Sequence, residues 1–422
     1  MRARERRRVF ERYDAVLCDL DGVVYRGDQI VGDAPVVLDE VRAAGSPVVF
    51  LTNNSSRTVD EVASKLREMG VQADPAEVVS SAIATAAMLR RDGTVTGPPE
   101  AGTKRDRPTA FVIGRRGIRT ALEDAGVEIL DGTPDRTDLV VVGFDPDTNY
   151  AALRTAGLLV QGGARLIGTN PDGSYPAPDG LWPGAGALLA AVVATTRAVP
   201  TVVGKPARPM FEAAAESARA RHPLVVGDRL DTDIAGARAM GWDAMLVLTG
   251  ASSPRDLVRS GALPHYVGTT IQALVAVAPR VEIRPASKGD LQVAKVLAAD
   301  AGLRWADPSP GRGATLVADA GGELVATATA FHLPEATVLR AVAVRQDVRG
   351  RGVGTLVVAG TARAAAERGA RLLVAFTETA ERFFERLGFT AVDRDALPES
   401  VRSSEHAGGE CSSATPLEFD LR

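Results

Sequence analysis

DAVLCDLDGVVYR, residues 14 to 26, decides how the chain is read. The apolar run Ala15 to Cys18 delivers two aspartates, Asp19 and Asp21, and Gly22 then lets the backbone turn away. Such a run is expected to be a buried strand whose C-terminal end presents acid, and in open α/β sheets ligands bind at that end. Taken alone, Asp-x-Asp-Gly is equally an ordinary strand-to-turn junction, because both residue types favour turns. The residues that follow carry the rhythm of a parallel sheet: a helix near Ala34–Ala44, a strand at Val48–Leu51 and a helix over Asp60–Met69. Thr58 and Glu61 are spaced as a capping box for that second helix. Between strand and helix lies LTNNSSRT, residues 51 to 58. Its hydroxyl and amide groups suit a bound oxyanion, although alone it is also a plain polar loop.

Length and composition bound the possibilities. A chain of 422 residues is expected to fold as two to four domains, and 45% hydrophobic with 24% charged residues is ordinary for a globular protein. A formal net charge of −4 argues against a general nucleic-acid binder. The basic run MRARERRR lacks a following apolar segment and reads as a solvated tail. The longest apolar stretch, around Ala185 to Ala194, is far shorter than the roughly 20 residues of a membrane helix, so no membrane insertion is expected. Two cysteines, Cys18 and Cys411, make no disulfide framework, and a reducing cytoplasm is the expected compartment. The four histidines show no ligand spacing, so a metal site would use oxygen ligands, which favours magnesium.

Further along, the Gly/Pro-rich stretch 91–108 reads as a flexible excursion, and the α/β pattern then restarts with strands at Ala110–Ile113, Asp138–Phe144 and Arg165–Thr169. This is expected to be an inserted unit, residues 82–183, with GTNPDGSYPAPDGLWPGAGA returning the chain to the body. A strand at Thr201–Val203 running into Gly204-Lys205-Pro206 is expected to resume the main sheet, followed by a strand at Pro223–Val226 that runs into GDRLDTD, residues 227–233. The body is thus discontinuous, residues 1–81 and 184–278, and Pro279 marks a linker to a third unit, 281–422. The fold class expected is α/β: a Rossmann-like parallel-sheet core with an inserted α/β lid, plus a C-terminal α+β domain.

Strand ends then offer Asp19 and Asp21, Thr52 and Asn53, Lys205, and Asp228 with Asp233. Phosphoryl transfer needs this combination, because a carboxylate attacks an anionic phosphate ester only when a divalent cation and a lysine neutralise the phosphoryl oxygens. In order and spacing, DLDGVVY (19–25), TNN (52–54), GKP (204–206) and GDRLDTD resemble the four motifs of the haloacid dehalogenase superfamily of aspartate-nucleophile phosphatases. The insert between the second and third motifs, with its TNPD and PGAGA segments, resembles the NagD-like subfamily with its C2-type cap. The resemblance implies Asp19 as nucleophile and Asp21 as general acid and base. It also implies Thr52, Asn53 and Lys205 as phosphate ligands, with Asp233 in support. Asp19, Asp21 and Asp228 would hold Mg2+, with Asp21 contributing its backbone carbonyl. Asp231 reads as a solvated neighbour. Arg115, Arg116 and Arg119 of the lid either reach an anionic substrate or form a solvated helix face. The implied partner is a small phosphorylated metabolite, with homo-oligomerisation open. Glycerol 3-phosphate is the expected ester, because an actinobacterial phosphatase for it resembles this chain in also carrying a C-terminal domain; phosphoglycolate or another small ester is the alternative.

In the third unit, a strand ending at Val344 leads into Arg349-Gly350-Arg351-Gly352-Val353-Gly354 and a helix, a loop whose glycines let amides approach a pyrophosphate at a helix N-terminus. Arg349-x-x-Gly352-x-Gly354, with FFERLGF (383–389), resembles the acyl-CoA fold of the GCN5-related N-acetyltransferases. That implies CoA or acetyl-CoA near Val344, Arg349, Gly352 and Gly354. Phe384 stands where many members of that family carry the tyrosine that protonates the CoA thiolate, and a nearby cysteine such as Cys411 is a candidate to replace it, although a loop cysteine is usually no more than that. A structural or CoA-binding domain and a working N-acetyltransferase in a two-activity protein both remain readings of this unit.

Overall fold

The computed structural model describes residues 7–95, 107–177, 179–308, 311–405 and 413–422. By internal contacts the chain divides into two compact units, one of Tyr13–Val226 with Asp231–Trp242, the other of Met1–Arg12 with Gly227–Leu230 and Asp243–Arg422. Cys411 and most of the 91–108 excursion lie outside the described residues.

The first of these units opens with β1 (Val16–Asp19), buried at every residue, and a small antiparallel hairpin of β2 (Tyr25–Arg26) and β3 (Gln29–Ile30). Helix α1 (Ala34–Ala43), β4 (Val48–Thr52), α2 (Val59–Glu68), β5 (Val78–Ser80) and α3 (Ser81–Arg91) follow. The capping box forms, with the Thr58 amide donating to Glu61 Oε2 at 2.8 Å and the Glu61 amide to Thr58 Oγ1 at 3.3 Å. Next come β6 (Thr109–Ile113), α4 (Arg116–Ala125), β7 (Glu128–Ile129), β8 (Leu139–Val142), α5 (Tyr150–Gln161) and β9 (Arg165–Gly168). A hairpin of β10 (Ser174–Ala177) and β11 (Gly180–Pro183), then α6 (Ala185–Thr196) and β12 (Thr201–Val202), lead to α7 (Arg208–Ala218) and β13 (Leu224–Gly227). A π turn over Leu230–Ile234 precedes α8 (Ala235–Ala239).

Parallel strands run in the order β13-β1-β4-β5, with Asp19 paired to Leu51 at the end of β1. Both faces of β1 are apolar and buried, as a strand covered on both sides requires. A second parallel sheet has the order β12-β9-β8-β6-β7. Thr201–Val202 therefore does not resume the first sheet: it pairs with Ile167–Gly168 at the edge of the second. Helix α6 belongs with it, burying Leu189 and Val192 against Phe111, Val140, Val142 and Leu159. A short β-branched run fits either parallel sheet, so its pattern does not choose the partner.

In the other unit, β14 (Asp243–Val247) and β15 (Tyr266–Gly268) pair in parallel on either side of α9 (Pro254–Arg259). β16 (Glu282–Pro285), α10 (Lys288–Asp300), β17 (Gly313–Ala320), β18 (Glu323–His332), β19 (Thr337–Val344), α11 (Val353–Glu367) and β20 (Leu372–Thr377) then follow. The chain closes with α12 (Glu381–Arg386), β21 (Thr390–Ala391), α13 (Glu399–Arg402) and β22 (Thr415–Asp420). These strands form one sheet in the order β16-β17-β18-β19-β20-β22-β21. Gly321 and Gly322 turn the β17–β18 hairpin with φ of 67° and 94°, the left-handed pair that a tight hairpin needs. β19 and β20 pair in parallel only over Thr337–Leu339 and Leu373–Ala375, so the rest of β19 runs on without that partner. The expected fold class is the one observed, and among the described residues no helix is long and apolar enough to cross a membrane.

Candidate active site

β1 ends on Asp19, which retains 7% exposure. β12 hands the chain to Gly204 and Lys205, and the Lys205–Pro206 peptide is cis. Lys205 Nζ donates to Asp19 Oδ1 at 2.6 Å and to Asp233 Oδ1 at 2.7 Å. Burial opposes a charge on Lys205, but the two carboxylates outweigh it, and the ammonium is held well above the usual lysine range. Asp233 sits on the π turn, a distortion often found at functional sites. Asp228 follows β13 directly, is buried, and accepts the Ala251 amide at 2.5 Å. Asp19 and Asp233, both buried, each offer a carboxylate oxygen within this unit, and hard oxygen donors of this kind suit a magnesium ion. Asp231, on the same turn, is exposed, as its reading as a solvated neighbour expects.

Asp21 lies one turn beyond β1. Gly22 takes φ of 80°, and its amide donates to the Tyr25 carbonyl at 2.7 Å, closing the loop that carries the carboxylate. The Asp21 side chain keeps contact with solvent while protein surrounds it closely. Lost solvation raises its pKa above the ordinary carboxylate value, and Lys65, Lys205 and Arg57 pull it part of the way back. Lys65 is fixed by the Gly27 carbonyl at 2.7 Å and stands 4.3 Å from the centre of the Tyr25 ring. Cys18, fully buried behind Asp19, has its thiol pushed far up by burial and is inert packing.

Thr52 ends β4 and is buried, its Oγ1 accepting the Asn54 amide at 3.1 Å. The Asn53 side chain, expected as an oxyanion donor, is engaged within the protein. Its Oδ1 accepts the Lys205 amide at 2.8 Å, and its Nδ2 donates to the Lys205 carbonyl at 3.1 Å and to Asp172 Oδ2 at 3.0 Å. Both amide hydrogens are committed, so this side chain positions the lysine and has no donor left for an anion. The TNPD segment is tied to the same loop: Asn170 Nδ2 donates to the Asn53 carbonyl at 2.7 Å, and the Ser55 and Thr169 hydroxyls meet at 3.1 Å. Asn170 and Asp172 are the residues that sequence reasoning left without a role, and only their motif-like spacing marked them. The lid arginines are each paired with an acid, Arg115 with Asp147 at 2.8 Å, Arg119 with Asp131 at 3.0 Å, and Arg116 with Glu61. The surface-face reading is the one the structure supports.

In the C-terminal sheet, Arg349 Nε donates to the Val344 carbonyl at 2.9 Å and Gly352 begins α11 with φ of 76°. A Cβ at Gly352 would stand 2.5 Å from the Val267 carbonyl of β15, and Arg351 hydrogen-bonds the Val277 carbonyl. The glycine loop therefore packs on β15 and on the segment after it. Phe384 is buried in a run of edge-packed rings, 5.2 Å from Phe383 and 5.1 Å from Phe389. It has no hydroxyl to give.

Sequence comparison assigns residues 16–128 to the haloacid dehalogenase-like hydrolases, 202–274 to a HAD-hydrolase-like family and 288–389 to the acetyltransferase (GNAT) family. D-glycerol 3-phosphate phosphatase of Mycobacterium tuberculosis is 36% identical over 280 residues, 64% of this chain and 75% of that one. An acid sugar phosphatase of Staphylococcus aureus is 36% identical over 258 residues, 61% of this chain and 94% of that protein. A crystal structure of glycerol phosphate phosphatase from Mycobacterium tuberculosis in complex with magnesium superposes with a TM-score of 0.67 at 30% identity, covering 90% of this chain and 98% of that one. NagD from Escherichia coli K-12 superposes over 63% of this chain and 99% of its own, with a TM-score of 0.55 at 30% identity. Motif order, parallel sheet and a relative matched over three-quarters of its length agree: the chain belongs to the haloacid dehalogenase-like hydrolase family and ends in a GNAT-type domain.

Proposed function

We propose that the chain is a Mg2+-dependent phosphatase of small phosphate monoesters, with glycerol 3-phosphate as its substrate. The observation that carries this reading is the buried group of Lys205 between Asp19 and Asp233. Lys205 fixes one oxygen of Asp19, and the other attacks phosphorus, forming the Asp19–phosphorus bond as the bond to the ester oxygen breaks. Asp21 gives its proton to the departing alkoxide, which its raised pKa favours, and then takes a proton from the water that cleaves the aspartyl-phosphate. Thr52 and Lys205 hold phosphoryl oxygens. Asp19, Asp228 and the Asp21 backbone carbonyl would hold Mg2+, which supplies charge neutralisation for the phosphoryl group, and Asp233 orients Lys205.

The choice of glycerol 3-phosphate rests on the mycobacterial relatives named for that activity and on one of them matching 90% of this chain, C-terminal domain included. The likeness to an acid sugar phosphatase keeps other small esters in the panel. In this reading residues 1–81 and 184–278 are the catalytic body and 82–183 the lid, with α6 and β12 of the returning segment completing the lid sheet. Residues 281–422 are an accessory domain. A cytoplasmic enzyme acting on a free metabolite is the setting this chemistry suits.

Phosphate release from glycerol 3-phosphate, phosphoglycolate and sugar phosphates, with and without Mg2+, tests the reading. Asp19→Asn is expected to abolish turnover while leaving the fold intact. Full Mg2+-dependent turnover by Asp19→Asn would refute the mechanism, and equal turnover of every ester would refute the substrate choice.

A second activity, acetyl-CoA-dependent acyl transfer, has one favourable observation: the pairing of β19 with β20 stops at Leu339, before the glycine loop that follows β19. Phe384 weighs against it. Calorimetric titration with acetyl-CoA decides between a CoA site and a structural domain.

A further inference from the structure

A cavity of about 560 Å³ opens at the β18–β19 hairpin of the C-terminal sheet, with His332, Glu335, Thr337, Arg368 and Arg371 among its lining residues. It is distinct from the glycine loop. β19 starts at Thr337 in the cavity and ends at Val344, whereas α11 starts beyond the loop and ends at Glu367, next to Arg368. The 15 residues of α11 span about 22 Å at 1.5 Å per residue, and that length separates the two places. Neither phosphatase chemistry nor acyl transfer as described above uses the cavity.

His332 is the informative residue. Its Nδ1 lies 3.1 Å from Thr337 Oγ1, while Nε2 is buried and has no hydrogen-bond partner among the described residues. Lost solvation, with Arg368 nearby, holds the imidazole pKa below its usual value and so favours the neutral ring. In the tautomer where the Thr337 hydroxyl donates to Nδ1, the ring proton lies on Nε2, a donor in need of an acceptor. Two guanidiniums share the lining. Among the described residues Arg368 reaches the Gly311 carbonyl, at 3.4 Å, and Arg371 adds a second cation from an exposed position. The opposing charge is Glu335, whose Oε2 accepts the Ser400 hydroxyl at 3.1 Å, together with the carbonyl end of α11.

We propose that this cavity is a binding site for a small oxyanion, a carboxylate or phosphate group held by Arg368, Arg371 and the His332 Nε2–H. Guanidiniums pair with such groups through two parallel N–H donors, and the apolar Leu333 and Ala336 line the space for a compact carbon skeleton. The proposal is independent of the phosphatase assignment.

The test uses the full chain with 15N-labelled histidine in EDTA, which keeps metal from recruiting anions to the aspartate site. The sequence has only 4 histidines, and His332→Gln identifies the resonance of interest. Inorganic phosphate and citrate are titrated separately. A saturable shift of the His332 Nε2 signal with phosphate alone points to a phosphorylated ligand, with citrate alone to a carboxylate, and with both to a general oxyanion site. Arg368→Ala with Arg371→Ala, both exposed and outside any core, is expected to weaken the response about tenfold or more, as loss of charge-assisted hydrogen bonds does. Glu335→Gln is expected to strengthen it, and phosphate-ester turnover is expected to stay unchanged in all three. Absence of a saturable shift with either anion up to about 20 mM, well above the millimolar dissociation constant of a weak site, overturns the proposal. So does an undiminished shift in the double arginine variant.

Discussion

Lys205→Met isolates the electrostatics on which the site depends. Lys205 is 3% exposed, Asp233 1% and Asp19 7%, so methionine would fill the lysine's space and leave two buried carboxylates without their shared cation. Removing one partner of a buried ion pair typically costs about 3–5 kcal/mol, because the surviving charge stays desolvated. For a domain of this size each kcal/mol lowers the melting temperature by about 2–4 °C, so a fall of roughly 10 °C is expected. Thermal melts in EDTA at pH 7.5 measure it. The partner variant Asp233→Asn, combined with Lys205→Met, is expected to restore more than half of the loss by removing one of the two stranded charges. Turnover of the double variant stays down about 100-fold or more, the usual cost of deleting a group that faces developing charge. Wild-type stabilisation from Lys205, whose folded pKa is raised, is fully present below the ordinary lysine pKa and disappears only at more alkaline pH. In Lys205→Met the sign reverses: two buried carboxylates lose their shared cation, so the deficit is expected to shrink as acid removes negative charge from the cluster. A single variant that melts within about 2 °C of wild type, or a double variant no more stable than the single, would refute this account of the cluster.

Other consequences follow from the same geometry. Asp21→Asn is expected to cut turnover of alkyl phosphates far more than that of p-nitrophenyl phosphate, whose leaving group needs no proton; equal losses would remove Asp21 from the acid role. In Gly204→Ala the new Cβ would stand 2.6 Å from Asn53 Oδ1 and 2.7 Å from the Thr169 carbonyl, so a loss of about 1–3 kcal/mol by denaturant melts and a matching fall in turnover are expected. Asn53→Ala strands the Lys205 amide and carbonyl and is expected to lower kcat with little change in KM, the split that separates positioning from binding. Arg119→Ala, which removes the pairing with Asp131 and two long hydrogen bonds of 3.4 Å to the Gly114 and Val112 carbonyls, is expected to leave KM for glycerol 3-phosphate within about twofold, since exposed ion pairs contribute little.

Much of the site was legible because its chemistry is local. Asp19, Thr52 and Asp228 sit at or just beyond strand ends, and an apolar run followed by Asp, Thr or Gly-Asp shows this in the order of residues alone. Lys205 was found for a different reason, since its strand belongs to the second sheet, and only its motif pointed to Asp19. Asn53 was read by type as an anion donor because a side-chain amide suits that role; the partners that use up both its hydrogens, Lys205 and Asp172, are 152 and 119 residues away. The same distance problem hid the ion pairs of Arg115, Arg116 and Arg119. Short elements escaped too: β5 has three residues, and the β10–β11 hairpin carries Pro176 and Pro183, which mask any strand pattern.

The bonds joining Asn53 to Asn170, Asp172 and Lys205 have an evolutionary side. The segment of Asn170 and Asp172 is clamped to the loop that seats the lysine, so a change at Asn53, Asn170 or Asp172 would reach Lys205 directly. On the proposed reading of 82–183 as a lid, substitutions on its far side would leave that clamp untouched, and a change of accepted ester would be sought there rather than at the clamp.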